Sequence, residues 1–169
     1  MSTFTIRAMR PADWPEVQHI YQQGMATGVA TFETAAPSWA SWNEKHFTSC
    51  RLTAVNENHL VAGWAALAPV SRRPVYEGVA EVSIYVLPAE SGQGIGSRLL
   101  DILIRESERA GFWTLQSSIF PENTASIQLH KKHGFREFGR RERIAKRDGR
   151  WYDLVLMERR SSITGTEET

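Results

Sequence analysis

At 169 residues, with 41% hydrophobic and 23% charged residues, the chain is long enough for one domain with a sizeable core, and its composition is ordinary for a globular protein. A formal net charge of +1 gives no bulk electrostatic pull toward nucleic acid or membrane. The single cysteine, Cys50, excludes an internal disulfide framework, and no apolar run nears the ~18 residues a spanning helix needs, so a cytoplasmic protein is expected.

In chain order, Thr3 to Met9 alternates Phe4, Ile6 and Ala8 and predicts a first strand. Asp13 is read as the N-cap of a first helix, with Pro15 tolerated in its first turn and Trp14, Val17, Ile20, Tyr21 and Met25 on its apolar face. Residues 27–37 have no period and predict an ordered loop, on which Phe32 has two open readings: core packing or a ligand wall. Ser38 caps a second helix carrying Trp39, Trp42, His46 and Phe47. Leu52 to Val55 and His59 to Leu67 predict a hairpin around Asn56-Glu57-Asn58. The loop from Pro69 to Gly78 contains Arg72, Arg73 and Tyr76; the arginines are either solvated or an anion reader, since a guanidinium grips a carboxylate with two parallel bonds.

Glu81 to Ile104 organises the chain. Val82, Ile84 and Val86 alternate with Glu81, Ser83 and Tyr85 as in a strand, and Ile95, Leu99, Ile102 and Leu103 share one helical face. Between them lies Gly92-Gln93-Gly94-Ile95-Gly96. A glycine-rich turn that opens a helix leaves backbone N–H groups free at the positive end of the helix dipole, a site for phosphate. The Gly-Lys-Ser/Thr of a Walker loop is absent, and the third glycine is misplaced for a dinucleotide fingerprint. A further strand, Trp113 to Ile119, is followed by a short helix, Thr124 to Lys132, closed by Gly134. Phe135 to Ala145 and Trp151 to Glu158 predict a second hairpin around Arg147-Asp148-Gly149. The basic run Arg136 to Arg150 reads as a solvated hairpin, with a role near a coenzyme 3′-phosphate as the alternative. Domain bounds of 1–160 are expected, with 161–169 as a flexible tail.

Tyr85-Val86 followed by Ser91-Gly92-Gln93-Gly94-Ile95-Gly96 resembles motif A of the GNAT superfamily of acyl-CoA N-acyltransferases, with Ser91 where the family usually has Arg or Gln. Asn123-x-x-Ser126-x-x-x-His130-x-x-x-Gly134-Phe135 resembles its motif B. The two motifs in this order imply an α/β GNAT fold: a twisted mixed sheet of about seven strands flanked by about four helices, splayed to admit pantetheine. The resemblance implies acetyl-CoA as cofactor, held by Ile84, Tyr85, Val86, Gly92, Gln93, Gly94, Ile95, Gly96, Ser97, Asn123, Ser126 and Lys132.

Arg73-x-x-Tyr76-x-x-x-x-Glu81-x-Ser83-x-Tyr85-Val86, then His130 and Gly149 to Asp153, is similar to the phosphinothricin and methionine sulfoximine acetyltransferases. That subgroup implies N-acetylation of a small amino-acid-like substrate by direct transfer in a ternary complex, with Phe32, Arg72, Arg73 and Tyr76 on the substrate side, and a homodimer. Another amine acceptor, such as a peptide N-terminus, and a non-catalytic acyl-CoA sensor are the rival readings. Acetyl transfer needs a neutral amine, so a base must take its proton. Glu81 shares a strand face with Ser83 and Tyr85 and is the candidate base, a buried structural carboxylate being the alternative. A backbone N–H near Val86 could hold an oxyanion. His130 is a candidate donor to the departing thiolate, with packing or orienting the site as its other reading. No histidine has ligand spacing with Cys or carboxylates, and no metal is expected.

Overall fold

The computed structural model describes residues 3–168, which form seven strands and four helices. The strands are β1 (Phe4–Ala8), β2 (Leu52–Asn56), β3 (Val61–Pro69), β4 (Val79–Val86), β5 (Thr114–Ile119), β6 (Arg136–Arg147) and β7 (Arg150–Arg160). The helices are α1 (Trp14–Ala26), α2 (Trp39–Lys45), α3 (Ile95–Arg109) and α4 (Thr124–Lys132). They build one mixed sheet in the order β1-β2-β3-β4-β5-β7-β6, antiparallel throughout except for the parallel β4–β5 pair. The expected α/β architecture is the one observed.

Side-chain alternation along β3 and β4 divides the core between two faces. Ala65, Leu67, Ala80 and Val82 pack with Leu99, Leu100 and Leu103 of α3, an apolar stripe at i, i+1 and i+4. On the other face Trp64 and Ala66 pack with Trp14, Val17 and Ile20 of the α1 segment and Trp42 of α2. Glu81, Ser83 and Tyr85 follow the phase of this second face. Tyr85 packs against both Trp64 and Tyr21 at ring-centroid distances of 5.0 Å, and those two rings lie 5.7 Å from each other, so the three form a cluster. Gly24 lets α1 cross that ring, since a Cβ there would lie 2.7 Å from the Tyr85 ring.

Several local expectations are revised. Asp13 occupies the expected N-cap position of α1 but makes no side-chain cap bond; its carboxylate accepts from Arg10 N at 2.7 Å and forks with the Arg7 guanidinium at 2.8 and 2.9 Å, closing the turn before the helix. The first hairpin resumes at Val61 instead of His59, because Asn56 Oδ1 accepts from both Asn58 N and Leu60 N and holds that stretch in the turn. The second hairpin closes tightly on Asp148-Gly149, so its strands are longer than predicted. Residues 161–165, expected to be flexible, fold back: Ser161 is buried, Arg160 donates to Thr164 O at 3.0 Å, and Thr164 Oγ1 donates to Glu108 O at 3.0 Å.

Candidate active site

The site begins where the sheet parts. β4 and β5 pair over Val79↔Thr114, Ala80↔Leu115 and Glu81↔Gln116 and no further. From Ser117 to Ile119, β5 remains paired with β7, while β4 stays with β3 up to Val86. The edge of β4 past Glu81 therefore carries backbone polar groups without a neighbouring strand, which a buried sheet does not leave unused. The gap opens into a cleft of about 860 Å³ that passes through the sheet, with the α3 and α4 N-termini on one side and Glu81, Tyr21 and residues 27–33 on the other.

On the α3 side the chain builds a turn with the geometry of an anion cradle. Gly94 is the N-cap at φ 80°, ψ 9°, a left-handed conformation that disfavours any side chain. The first helical bond runs from Arg98 N to Gly94 O at 3.1 Å, so the amides of Ile95, Gly96 and Ser97 have no intrahelical acceptor. A Cβ at Gly92 or Gly94 would meet no protein atom within 4 Å, so the backbone is open to a ligand there. Among the described residues no Lys or Arg side chain lines the cleft, so backbone amides and the helix dipole are what this turn offers an anion. Ser91, at the usual Arg or Gln position, turns its hydroxyl away to Pro88 O at 2.8 Å.

Across the gap, Glu81 is the last β4 residue paired with β5, exposed to the cleft, and its carboxylate has no hydrogen bond or ion pair among the described residues. Tyr85 and Tyr21 stand behind it; burial pushes both phenols above the ordinary tyrosine pKa, so neither is an anion at neutral pH.

His130 is 2% exposed. Its Nδ1 lies 2.7 Å from Ser126 O, and a carbonyl only accepts, so Nδ1 carries the proton. Nε2 is then the acceptor for the Ser117 hydroxyl at 2.9 Å. Burial is the main cause that pushes the His130 pKa below the ordinary histidine value, the bond to Ser126 opposing it and nearby His133 reinforcing it. Both ring nitrogens are engaged, Nδ1 as a donor and Nε2 as an acceptor.

Of the residues singled out from sequence, the cleft brings together Phe32, Glu81, Ile84, Tyr85 and Val86 on the strand and loop side. Gly92, Gly94, Ile95, Gly96, Ser97, Asn123, Ser126 and His130 line it on the helix side. Asn123 caps α4, accepting from Ser126 N at 3.3 Å, so cap and site share one side chain. Gln93 points elsewhere, donating to Glu90 at 2.8 Å, and exposed Lys132 is not part of the lining. Arg72, Arg73 and Tyr76 are exposed on the loop that feeds β4 and also stand outside the lining. Ser117 and Tyr21 were missed as site residues. Ser117 had a signal, a hydroxyl in the inward phase of Leu115, Ser117 and Ile119. Among the described residues, no group of three or more His, Cys, Asp or Glu side chains is placed to hold a metal ion.

The family described as acetyltransferase (GNAT) domain matches residues 6–156. A phosphinothricin N-acetyltransferase of Alcaligenes faecalis is 32% identical over 163 residues, covering 92% of this chain and 81% of that protein. An L-methionine sulfoximine/L-methionine sulfone acetyltransferase of Salmonella typhimurium (strain LT2) is 29% identical over 158 residues, covering 91% and 92% respectively. Among solved structures, a GNAT superfamily phosphinothricin acetyltransferase from Sinorhizobium meliloti in complex with AcCoA superposes with a TM-score of 0.85 at 29% identity, covering 98% of this chain and 92% of that one.

Proposed function

Because the chain belongs to the GNAT acetyltransferases and is an acetyl-CoA-dependent N-acetyltransferase, we propose that it acetylates the α-amino group of a small amino-acid-like acceptor, of the phosphinothricin, methionine sulfoximine or methionine sulfone type. The observation that carries this reading is the position of Glu81: an unpaired carboxylate at the fork of the sheet, in the same cleft as the cradle and on its opposite side.

The residues present fit acetyl-CoA. The open backbone at Gly92 and Gly94 and the free amides of Ile95, Gly96 and Ser97 suit the pyrophosphate. The unpaired edge of β4 through Ile84, Tyr85 and Val86, with Asn123 and Ser126 facing it, suits the amides of pantetheine. When bound, acetyl-CoA supplies an activated acetyl thioester. Glu81 takes a proton from the acceptor ammonium, directly or through a water, and so frees the nitrogen lone pair for attack. His130 holds Ser117 in place by accepting a hydrogen bond from its hydroxyl. Transfer is direct, in a ternary complex, since a base and a bound thioester suffice for it; the one thiol, Cys50, is buried outside the cleft with its pKa raised by burial. Arg72 or Arg73, exposed on the loop that leads into β4, is the reader of the acceptor carboxylate in this proposal.

A homodimer and a cytoplasmic setting complete the proposal. Phe138, Ile144 and Trp151 are exposed apolar side chains on one hairpin, suited to a partner copy, and the one thiol is free. No helix among the described residues is long and apolar enough to cross a membrane.

A second reading, an acceptor amine without an adjacent carboxylate, is favoured by one observation: the lining holds Glu33, Glu81 and Glu90 but no Lys or Arg. A thiol-release screen with acetyl-CoA decides. Turnover of L-amino acids, phosphinothricin, methionine sulfoximine and methionine sulfone is expected. Release only with peptide N-termini or simple amines would put the second reading first.

A further inference from the structure

Residues 27–37 form no helix or strand, so their peptide carbonyls have no ladder to bond with. Two of them are taken up by a single distant side chain. Arg147, at the end of β6, donates from Nη2 to Gly28 O at 2.7 Å and from Nη1 to Thr31 O at 3.1 Å. The same guanidinium lies 4.8 Å from the Tyr152 ring centroid and 5.8 Å from that of Phe32. Phe32 in turn meets Phe120 edge-on at 4.5 Å. One planar cation thus joins the loop, the β6–β7 hairpin and the end of β5.

The loop it holds is a wall of the cleft. Val29, Ala30, Thr31 and Phe32 line it, and the Thr31 hydroxyl sits beside the phenols of Tyr21 and Tyr85. Tyr85 shares its strand face with Glu81, so this wall covers the half of the cleft that faces the carboxylate and not the phosphate cradle on α3. Arg147 itself is not part of the lining.

We propose that Arg147 is a positioning residue for the acceptor amine: it fixes residues 28–33 as the roof over Glu81 and Phe32 as its apolar wall, without touching the substrate. This rests on the reading that the acceptor enters on the Glu81 side. Lysine cannot replace the arginine fully, because a point-like ammonium lacks the rigid fork that serves two carbonyls and stacks on an aromatic face at once.

The test compares Arg147→Ala and Arg147→Lys with the unmodified protein. Amide hydrogen exchange across residues 28–34 is measured with acetyl-CoA present, and KM is measured for acetyl-CoA and for the amine that the thiol-release screen identifies. In Arg147→Ala, exchange and acceptor KM should each rise about tenfold or more, as expected for the loss of hydrogen bonds from a charged donor. The KM for acetyl-CoA should stay within about twofold, since the cradle is untouched. Arg147→Lys should fall between the two, and it carries the test if Arg147→Ala does not fold. Unchanged exchange would show that Arg147 does not hold the loop. Faster exchange with an unchanged acceptor KM, or an equal rise in both KM values, would show that the loop does not position the acceptor. If no amine is turned over by the unmodified protein, the acceptor role falls with the proposed function, while the exchange measurement still decides whether Arg147 holds the loop.

Discussion

Ser117 Oγ lies 2.9 Å from His130 Nε2, with the opposite ring nitrogen 2.7 Å from Ser126 O. Together these bonds fix the tautomer of a buried imidazole and make the serine its donor. Ser117→Ala would leave Nε2 buried without a partner, at a cost of about 1–3 kcal/mol that urea unfolding can read. The neutral ring also predicts a pH dependence. Its folded pKa lies below the ordinary value of about 6.5, so its contribution to stability is complete above that value and is lost as pH falls from there through the folded pKa, because the unfolded chain binds the proton more readily. The loss of stability between about pH 7.5 and about pH 5.5 should be larger in the unmodified protein than in His130→Gln. Equal losses would mean that His130 already titrates normally in the folded state.

Gly94→Val probes the cradle. The variant places a β-branched side chain at φ 80° and projects it into space that no protein atom fills. Coenzyme A at ~100 Kd should stabilise the unmodified protein by about 2.7 kcal/mol. That stabilisation should vanish in the variant, read as a melting shift with and without coenzyme A. An intact shift would place phosphate binding elsewhere.

Glu81→Gln keeps size and hydrogen-bonding capacity but removes the proton acceptor. The expected loss in kcat is about 10²–10⁴-fold, with the coenzyme A melting shift preserved. Near-normal turnover at neutral pH would move the base to another group or to solvent.

Arg73→Ala should raise KM for an amino-acid acceptor roughly ten- to hundredfold, the scale of a charge-assisted hydrogen bond, with little effect on acetyl-CoA. Arg72→Ala is its companion, since both guanidinium groups are exposed on the bend that precedes Pro74 and either can be the reader. Full kcat/KM in both variants would remove the two arginines from carboxylate reading and favour an acceptor without that group.

Periodicity made most of the strands and helices legible, and the resemblance of the two motifs supplied their arrangement in one sheet. Glu81, Ser83 and Tyr85 share a strand phase in the sequence and share a face in the molecule, and the glycine turn before Ile95 announces a helix with free amides. The loop at 27–37 was legible only as a loop, because its position is set by Arg147 through contacts more than a hundred residues apart. Arg147 itself was submerged in a basic run that reads as a solvated hairpin, and within that run the Arg140 guanidinium does pair at the surface with Asp153 while that of Arg143 lies over the exposed Trp151 ring. The small polar residues at 161–165 suggested fraying for a similar reason: nothing local shows that Arg160 gathers their carbonyls. His130 was identified as a site residue, but its tautomer depends on Ser117 and Ser126, which only the tertiary structure brings to its two nitrogens.

The three residue pairs between β4 and β5 also have a mechanical meaning. The sheet is two plates, β1 to β4 and β5 with β7 and β6, welded at one end and notched at the other. Few rungs cross the notch, so flexing about the weld is the deformation that the sheet's own hydrogen bonds resist least. Anything seated in the notch with hydrogen-bonding groups for both edges acts as a keystone, stiffening two plates that otherwise share one short seam.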